Sequence, residues 1–138
     1  MVQTCAAAGE WNCITTDGGK TTNDIRTAKR YFDEAYGEAA LYAKPFQIYM
    51  VTCRGLSFGW QNNNNFDEQR EESNARNIAR DAPLESTKET GNFCTFGTST
   101  GTDRTYLFGS SDYVSCSDDS FGGGLDGGTC VSRGCAEE

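Results

Sequence analysis

Histidine is absent from all 138 residues. Without it the chain cannot build a Ser–His–Asp or Cys–His nucleophile system, a His-ligated metal site, or the imidazole proton relay of a ribonuclease. Basic charge is scarce as well: 12 Lys and Arg stand against 20 Asp and Glu, leaving a net charge of −8. Nucleic acid needs a concentrated basic surface and anionic lipid attracts polybasic segments, so neither is an expected partner. No apolar run approaches the ~18 residues of a transmembrane helix. Leu, Ile, Val and Phe make up only about 15% of the chain, a level at which composition alone suggests disorder.

Two abundances oppose disorder. Aromatic residues reach 12%, and disordered chains are poor in them. There are also seven cysteines: Cys5, Cys13, Cys53, Cys94, Cys116, Cys130 and Cys135. None forms a C-x-x-C pair, so zinc-ribbon and thioredoxin signatures are missing. A thin aliphatic core with many cysteines fits a small oxidised, secreted protein held by disulfides. The N-terminus, Met-Val-Gln-Thr-Cys, has no basic n-region and no apolar h-region. Met1 is therefore expected to stand in place of a removed leader. Six of the seven cysteines are expected to form three disulfides, leaving one thiol. The connectivity is open, with Cys5 or Cys13 expected to be tied to Cys130 or Cys135, because chain ends fray unless anchored.

Along the chain the clearest element is a helix over Asn23–Ala43. Ile25, Ala28, Phe32, Ala35, Tyr36, Ala39 and Ala43 form a helical stripe, with Thr22 or Asn23 as its cap. Phe46–Cys53 is β-branched and aromatic and reads as a central strand. Arg54-Gly55 reads as a turn into a partner strand over Leu56–Trp60. A polar helix is expected from Phe66 to Arg80. Short strands are expected at Asn92–Phe96, Thr105–Phe108 and Tyr113–Cys116, with an edge strand over Thr129–Arg133. The fold class is α+β in one domain: a mainly antiparallel sheet of four to five strands, covered by one or two helices.

No residue constellation singles out a catalytic, metal or cofactor site. Glu10, Asp17, Asp33, Glu34 and Asp112 could supply the paired carboxylates of a glycosidase, but no spacing marks a pair. Asp17-Gly18-Gly19 and Asp126-Gly127-Gly128 do not match an aspartic-protease signature. The glycine-rich run Gly122–Gly128 lacks the Lys-Ser/Thr of a phosphate cradle. Asp118, Asp119 and Asp126 supply oxygens for only a single copy of a calcium loop, so a flexible connection is expected there. Trp11, Trp60, Tyr42 and Tyr49 are expected mostly in the core, with one or two available as a sugar or partner platform. Asn62–Asn65, Ala82–Gly91 and Ser117–Gly128 read as the segments least needed for folding, where recognition would concentrate.

The order helix, strand pair, helix, strands in an acidic, histidine-free, cysteine-rich chain resembles the small secreted effectors of plant-pathogenic fungi. Within these it is similar in outline to the avirulence-suppressing effectors of Leptosphaeria and related Dothideomycetes. The helix at Asn23–Ala43, the cysteine-containing strand Phe46–Cys53 and the terminal Ser132-Arg133-Gly134-Cys135 carry the resemblance. It implies an antiparallel sheet covered by helices, with disulfides linking the chain ends. It further implies a monomeric, non-enzymatic virulence or avirulence factor of the plant apoplast, without a cofactor, that binds a host protein or interferes with host immune recognition by masking a co-delivered effector; its partner is a host plant protein or immune receptor. The competing class is a plant cell-wall-directed enzyme or carbohydrate-binding module. A second resemblance, to ribonuclease-like effectors, implies a catalytically dead relative, since no histidine is present.

Overall fold

Thr21 starts the principal helix, α1 (Thr22–Tyr36), through a reciprocal capping box. Its Oγ1 accepts from the Asp24 N–H at 3.4 Å, while the Asp24 carboxylate accepts from the Thr21 N–H at 2.9 Å. The cap is thus Thr21, one residue before Thr22 and two before Asn23, because of the three only Thr21 has an acidic residue three positions on. The helix ends at Gly37, not near Ala43. Gly37 has φ +87° and donates its N–H to the Asp33 carbonyl, a reversal that favours glycine. Ala43 is buried as its place in the stripe suggested, but it lies in a strand. The computed structural model describes residues 11–13, 21–62, 67–72, 74–82, 93–97, 104–112, 114–116 and 130–135.

Beneath α1 lies a six-stranded sheet. β3 (Ile48–Cys53) and β4 (Leu56–Asn62) form its central hairpin. Arg54 and Gly55 between them have φ of 52° and 84°, the left-handed backbone that matches a tight hairpin to the twist of its strands. β7 (Arg104–Ser110) pairs antiparallel with β4, and β6 (Phe93–Gly97) with β7. β1 (Asn12–Cys13) borders β6, and β8 (Cys130–Arg133) borders β3 on the opposite edge in parallel register. The sheet therefore has more strands than the four to five expected, and it is mainly antiparallel as expected. The expected strand at 113–116 is not one: 114–116 form bends and a turn. A separate ribbon pairs β2 (Tyr42–Ala43) with β5 (Gln69–Arg70), and α2 (Ala75–Asp81) follows.

The expected helix over 66–80 is thus confined to its second half, α2, while 67–72 are not helical and Phe66 itself lies outside the described residues. Gln69 and Arg70 pair with β2, the Glu71 N–H donates to the Leu41 carbonyl at 2.8 Å, and Asn74 takes a left-handed φ of 64° before α2 begins. Pairing with a distant strand overrides the local helix preference of this charged run.

Side-chain alternation divides the sheet's two cores. Phe58, Trp60, Tyr106, Phe108, Phe96 and Val51 face α1, where Ile25, Ala28 and Phe32 are fully buried against them. Trp11 joins this face, within 6.2 Å of Phe58, Phe96 and Phe108 ring centres, and its indole N–H donates to the Ala79 carbonyl at 2.8 Å. The other face buries a smaller cluster of Ile48, Met50, Leu107 and Val114. Gly59 lies there because a Cβ would come 2.9 Å from the Tyr49 carbonyl oxygen and 3.0 Å from Met50 Sδ.

Three disulfides staple this frame: Cys13–Cys94, Cys53–Cys135 and Cys116–Cys130. None ties Cys13 to Cys130 or Cys135, so that expectation fails for a reason of register. Cys13 lies opposite Cys94 in the β1–β6 ladder. The parallel run of β8 along β3 carries Cys135 beside Cys53, at the end of β3. Cys5 lies outside the described residues. Among the described residues no helix is long and apolar enough to cross a membrane.

Candidate functional site

Arg76, near the start of α2, is the hub of a densely bonded region. Its side chain is buried, and its guanidinium grips Glu71 with both ends, Nε to Oε2 at 3.0 Å and Nη2 to Oε1 at 2.5 Å. Nη1 donates to Asp33 Oδ1 of α1 at 2.7 Å and to the Gly37 carbonyl at 2.6 Å. Nη2 reaches the Ala39 carbonyl at 3.3 Å, and the plane lies 4.7 Å from the Phe32 ring centre. Glu71, itself 2% exposed, also accepts from the Tyr106 hydroxyl at 2.5 Å and the Leu41 N–H at 3.2 Å. Lys29 Nζ lies 2.5 Å from the second oxygen of Asp33.

Electrostatics follow from this geometry. Burial works against the charged Arg76 guanidinium, but hydrogen bonds and charge from Glu71, and then from Asp33, outweigh it and hold the proton more firmly than in an ordinary arginine. Tyr106 moves the same way for different causes. Burial, then the Glu71 charge it faces, raise its phenol far above the usual range. Neither group is poised to exchange a proton near neutrality, as a general acid or base must be.

Beside this hub a cavity of about 420 Å³ opens between α1, the 38–40 segment and α2, walled by Lys29, Asp33, Glu38, Arg70, Glu72 and Asn77 among others. A second of about 390 Å³ adjoins it through Lys29, Asp33 and Glu38, and adds Arg26, Arg30 and Arg80. Arg26, Lys29, Arg30, Arg70, Arg76 and Arg80 are half of the 12 basic residues in a chain of charge −8. The two cavities form one groove of interleaved charge. The two large apolar side chains most exposed among the described residues are Tyr42 at 58% on β2, opposite Arg70 of β5, and Ile78 at 54% on α2, the helix that carries Arg76, Asn77 and Arg80. Arg70 lies over the Tyr42 ring, 5.9 Å from its centre.

Among the described residues, the carboxylates considered for catalysis, Asp33, Glu34 and Asp112, are not assembled into a pair across a cleft. Asp33 is committed to Arg76 and Lys29. Its neighbour Glu34 points to Arg30 at 3.5 Å on the exposed side of α1. Asp112 lies exposed in the turn after β7, its N–H on Ser110 Oγ. Glu10, Asp17 and the glycine-run aspartates 118, 119 and 126 lie outside the described residues. No group of three or more Cys, Asp or Glu placed to hold a metal occurs among the described residues.

Of the aromatics, Trp11 and Trp60 are wholly buried and belong to the core. Tyr49 is half-buried, stacked on Trp60 at 6.4 Å, and donates its hydroxyl to the Tyr42 carbonyl at 2.7 Å. Only Tyr42 is left as an open platform from that set. Two residues assigned to expendable loops are structural instead. Asn62 is fully buried, with Nδ2 facing the carbonyls of Ala43, Lys44 and Asp67 at 3.0–3.1 Å. Ala82 is buried at the end of α2. The rest of the 62–65, 82–91 and 117–128 segments falls outside the described residues, apart from Asn62 and Ala82. The hub of Arg76, Glu71 and Tyr106 carried no sequence signal, since its partners are joined only by the tertiary fold. No protein-family model, curated protein or solved structure matches this chain.

Proposed function

We propose that this is a secreted, non-enzymatic virulence or avirulence factor of a plant-associated fungus, acting in the apoplast by binding a host protein or immune receptor. The resemblance to small cysteine-rich effectors supplies the biological setting. The observation that carries the binding mode is the charge-interleaved groove between α1 and α2, whose Arg70 lies over the exposed Tyr42 ring. Its buried carboxylates, Asp33 and Glu71, are spent on internal cations, so what the groove offers a partner is shape and charge pattern. Three disulfides support work outside the reducing cytosol, because such bridges persist in oxidising compartments. Paired charges around an exposed aromatic suit protein recognition, where complementarity sets specificity and on-rate.

The test is saturable binding of the labelled, oxidised protein to extracellular proteins of candidate host plants, with Arg26→Glu/Arg80→Glu as the comparison. Both residues line the groove, and neither belongs to the Arg76 hub. The double variant is expected to weaken binding at least about tenfold, ~1.4 kcal/mol, while melting within a few degrees of the parent. Equal binding by parent and variant, or no saturable binding at all, overturns the reading.

A further inference from the structure

We infer that β8 is a strap that reduction releases: opening Cys116–Cys130 and Cys53–Cys135 frees it from β3 while the remaining five strands and α1 stay packed. β8 has four residues and sits at the sheet edge as the one strand in parallel register with its neighbour. It brings little apolar surface of its own. Val131 is only half-buried, and Ser132 and Arg133 are exposed. Among the described residues its non-covalent hold is the ladder to β3, Cys130 packed against the Ile48, Met50, Leu107 and Val114 cluster, the Tyr36 hydroxyl directed at the Val131 and Met50 carbonyls (3.0 and 2.8 Å), and Arg133 on the Ala35 carbonyl and over the Tyr36 ring. Each end of the strap is pinned covalently instead. Cys130 opens the strand and bonds Cys116; Cys135 follows it and bonds Cys53 of β3.

Accessibility orders the bridges. Cys116 and Cys130 are half-buried, so a dithiol reductant reaches them first. One thiolate of the reductant attacks a bridge sulfur and forms a mixed disulfide. Its second thiol then displaces the protein cysteine, leaving two protein thiols and an oxidised reductant, two electrons and two protons having passed to the protein. Cys53 and Cys135 are buried, and fraying of the loosened strap uncovers them next. Cys13–Cys94 is different: Cys13 is half-buried like Cys116 and Cys130, but Cys94 is fully buried in the aromatic face, and the bridge joins directly opposed residues of the β1–β6 ladder, away from β8, so its opening does not follow from release of the strap. With β8 gone the sheet is β1-β6-β7-β4-β3, and the backbone edge of β3 that faced β8 is uncovered. The fold then has a second state, chosen by the redox poise of its surroundings, whatever partner the groove binds.

The oxidised full-length protein is titrated with dithiothreitol, and each sample is divided between alkylation with peptide mapping and hydrogen exchange. The expected result is a range in which Cys53, Cys116, Cys130 and Cys135 are labelled but Cys13 and Cys94 are not. In that range amides of 130–135 exchange at least tenfold faster, while those of 56–62 and 104–110 keep their protection. Simultaneous labelling of all six with global loss of protection overturns the inference, as does a β8 that stays protected once its two bridges are open.

Discussion

Replacing Arg76 by methionine tests whether the hub is structural. Methionine fills similar volume without charge, so the substitution removes the guanidinium and leaves the packing over Phe32 nearly intact. It leaves Glu71, 2% exposed, with only the Tyr106 hydroxyl and the Leu41 N–H as partners. The carbonyls of Gly37 and Ala39 lose their donor at the same time, while Asp33 keeps Lys29. Removing one partner of a buried ion pair costs about 3–5 kcal/mol, because the other charge is stranded. Against a total stability of ~5–15 kcal/mol that is a large share, and at roughly 3 °C per kcal/mol for a chain of this size it lowers Tm by ~10–15 °C. The assay is urea unfolding of the parent, Arg76→Met, Glu71→Gln and the double variant. Neutralising Glu71 in the Arg76→Met background should recover much of the loss, giving a coupling above ~1.5 kcal/mol. A cost below ~1 kcal/mol for Arg76→Met, or strict additivity in the double variant, refutes the reasoning.

Other consequences follow from single contacts. Gly59→Ala should destabilise by about 1–3 kcal/mol in chemical denaturation, because the added Cβ meets the Tyr49 carbonyl at 2.9 Å and that backbone atom cannot swing aside. Asn62→Ala should cost ~1–3 kcal/mol through the three carbonyls it abandons, contrary to a loop position, which would lose under ~0.5. Ultraviolet titration should find Tyr36, Tyr49 and Tyr106 ionising late, since burial raises all three. For Tyr106 the folded value is raised above the unfolded value near 10, so its contribution is complete below pH 10 and declines as pH rises further. Alkylation without reduction should add one label to the seven-cysteine chain, at Cys5, and peptide maps should recover the bridges 13–94, 53–135 and 116–130.

Local periodicity made α1, β3, β4 and the Arg54-Gly55 turn legible, because each is specified by residues within a few positions. The errors lie where distant partners decide. Ala39 and Ala43 continue the α1 stripe in sequence, but Gly37 reverses the chain and Ala43 pairs with Gln69. The Arg76 hub joins residues 43 and 5 positions away to it, and Tyr106 reaches Glu71 across 35. A five-residue Glu–Arg interval matches no helical neighbour spacing, so nothing in the sequence marked the pair. The disulfide pairing was equally hidden, since it depends on which strands become neighbours. Composition did better on the general character of the chain: many cysteines around a thin aliphatic core became three bridges around an aromatic one.

The central claim, that the protein acts by binding and not by turnover, is tested most directly by incubating the oxidised chain with a panel of plant-wall polysaccharides, RNA and protein substrates and measuring product release. The account predicts no turnover that depends on any one of Glu10, Asp17, Asp33, Glu34 or Asp112. Clear turnover abolished by a single Asp→Asn or Glu→Gln substitution that leaves Tm unchanged would contradict it.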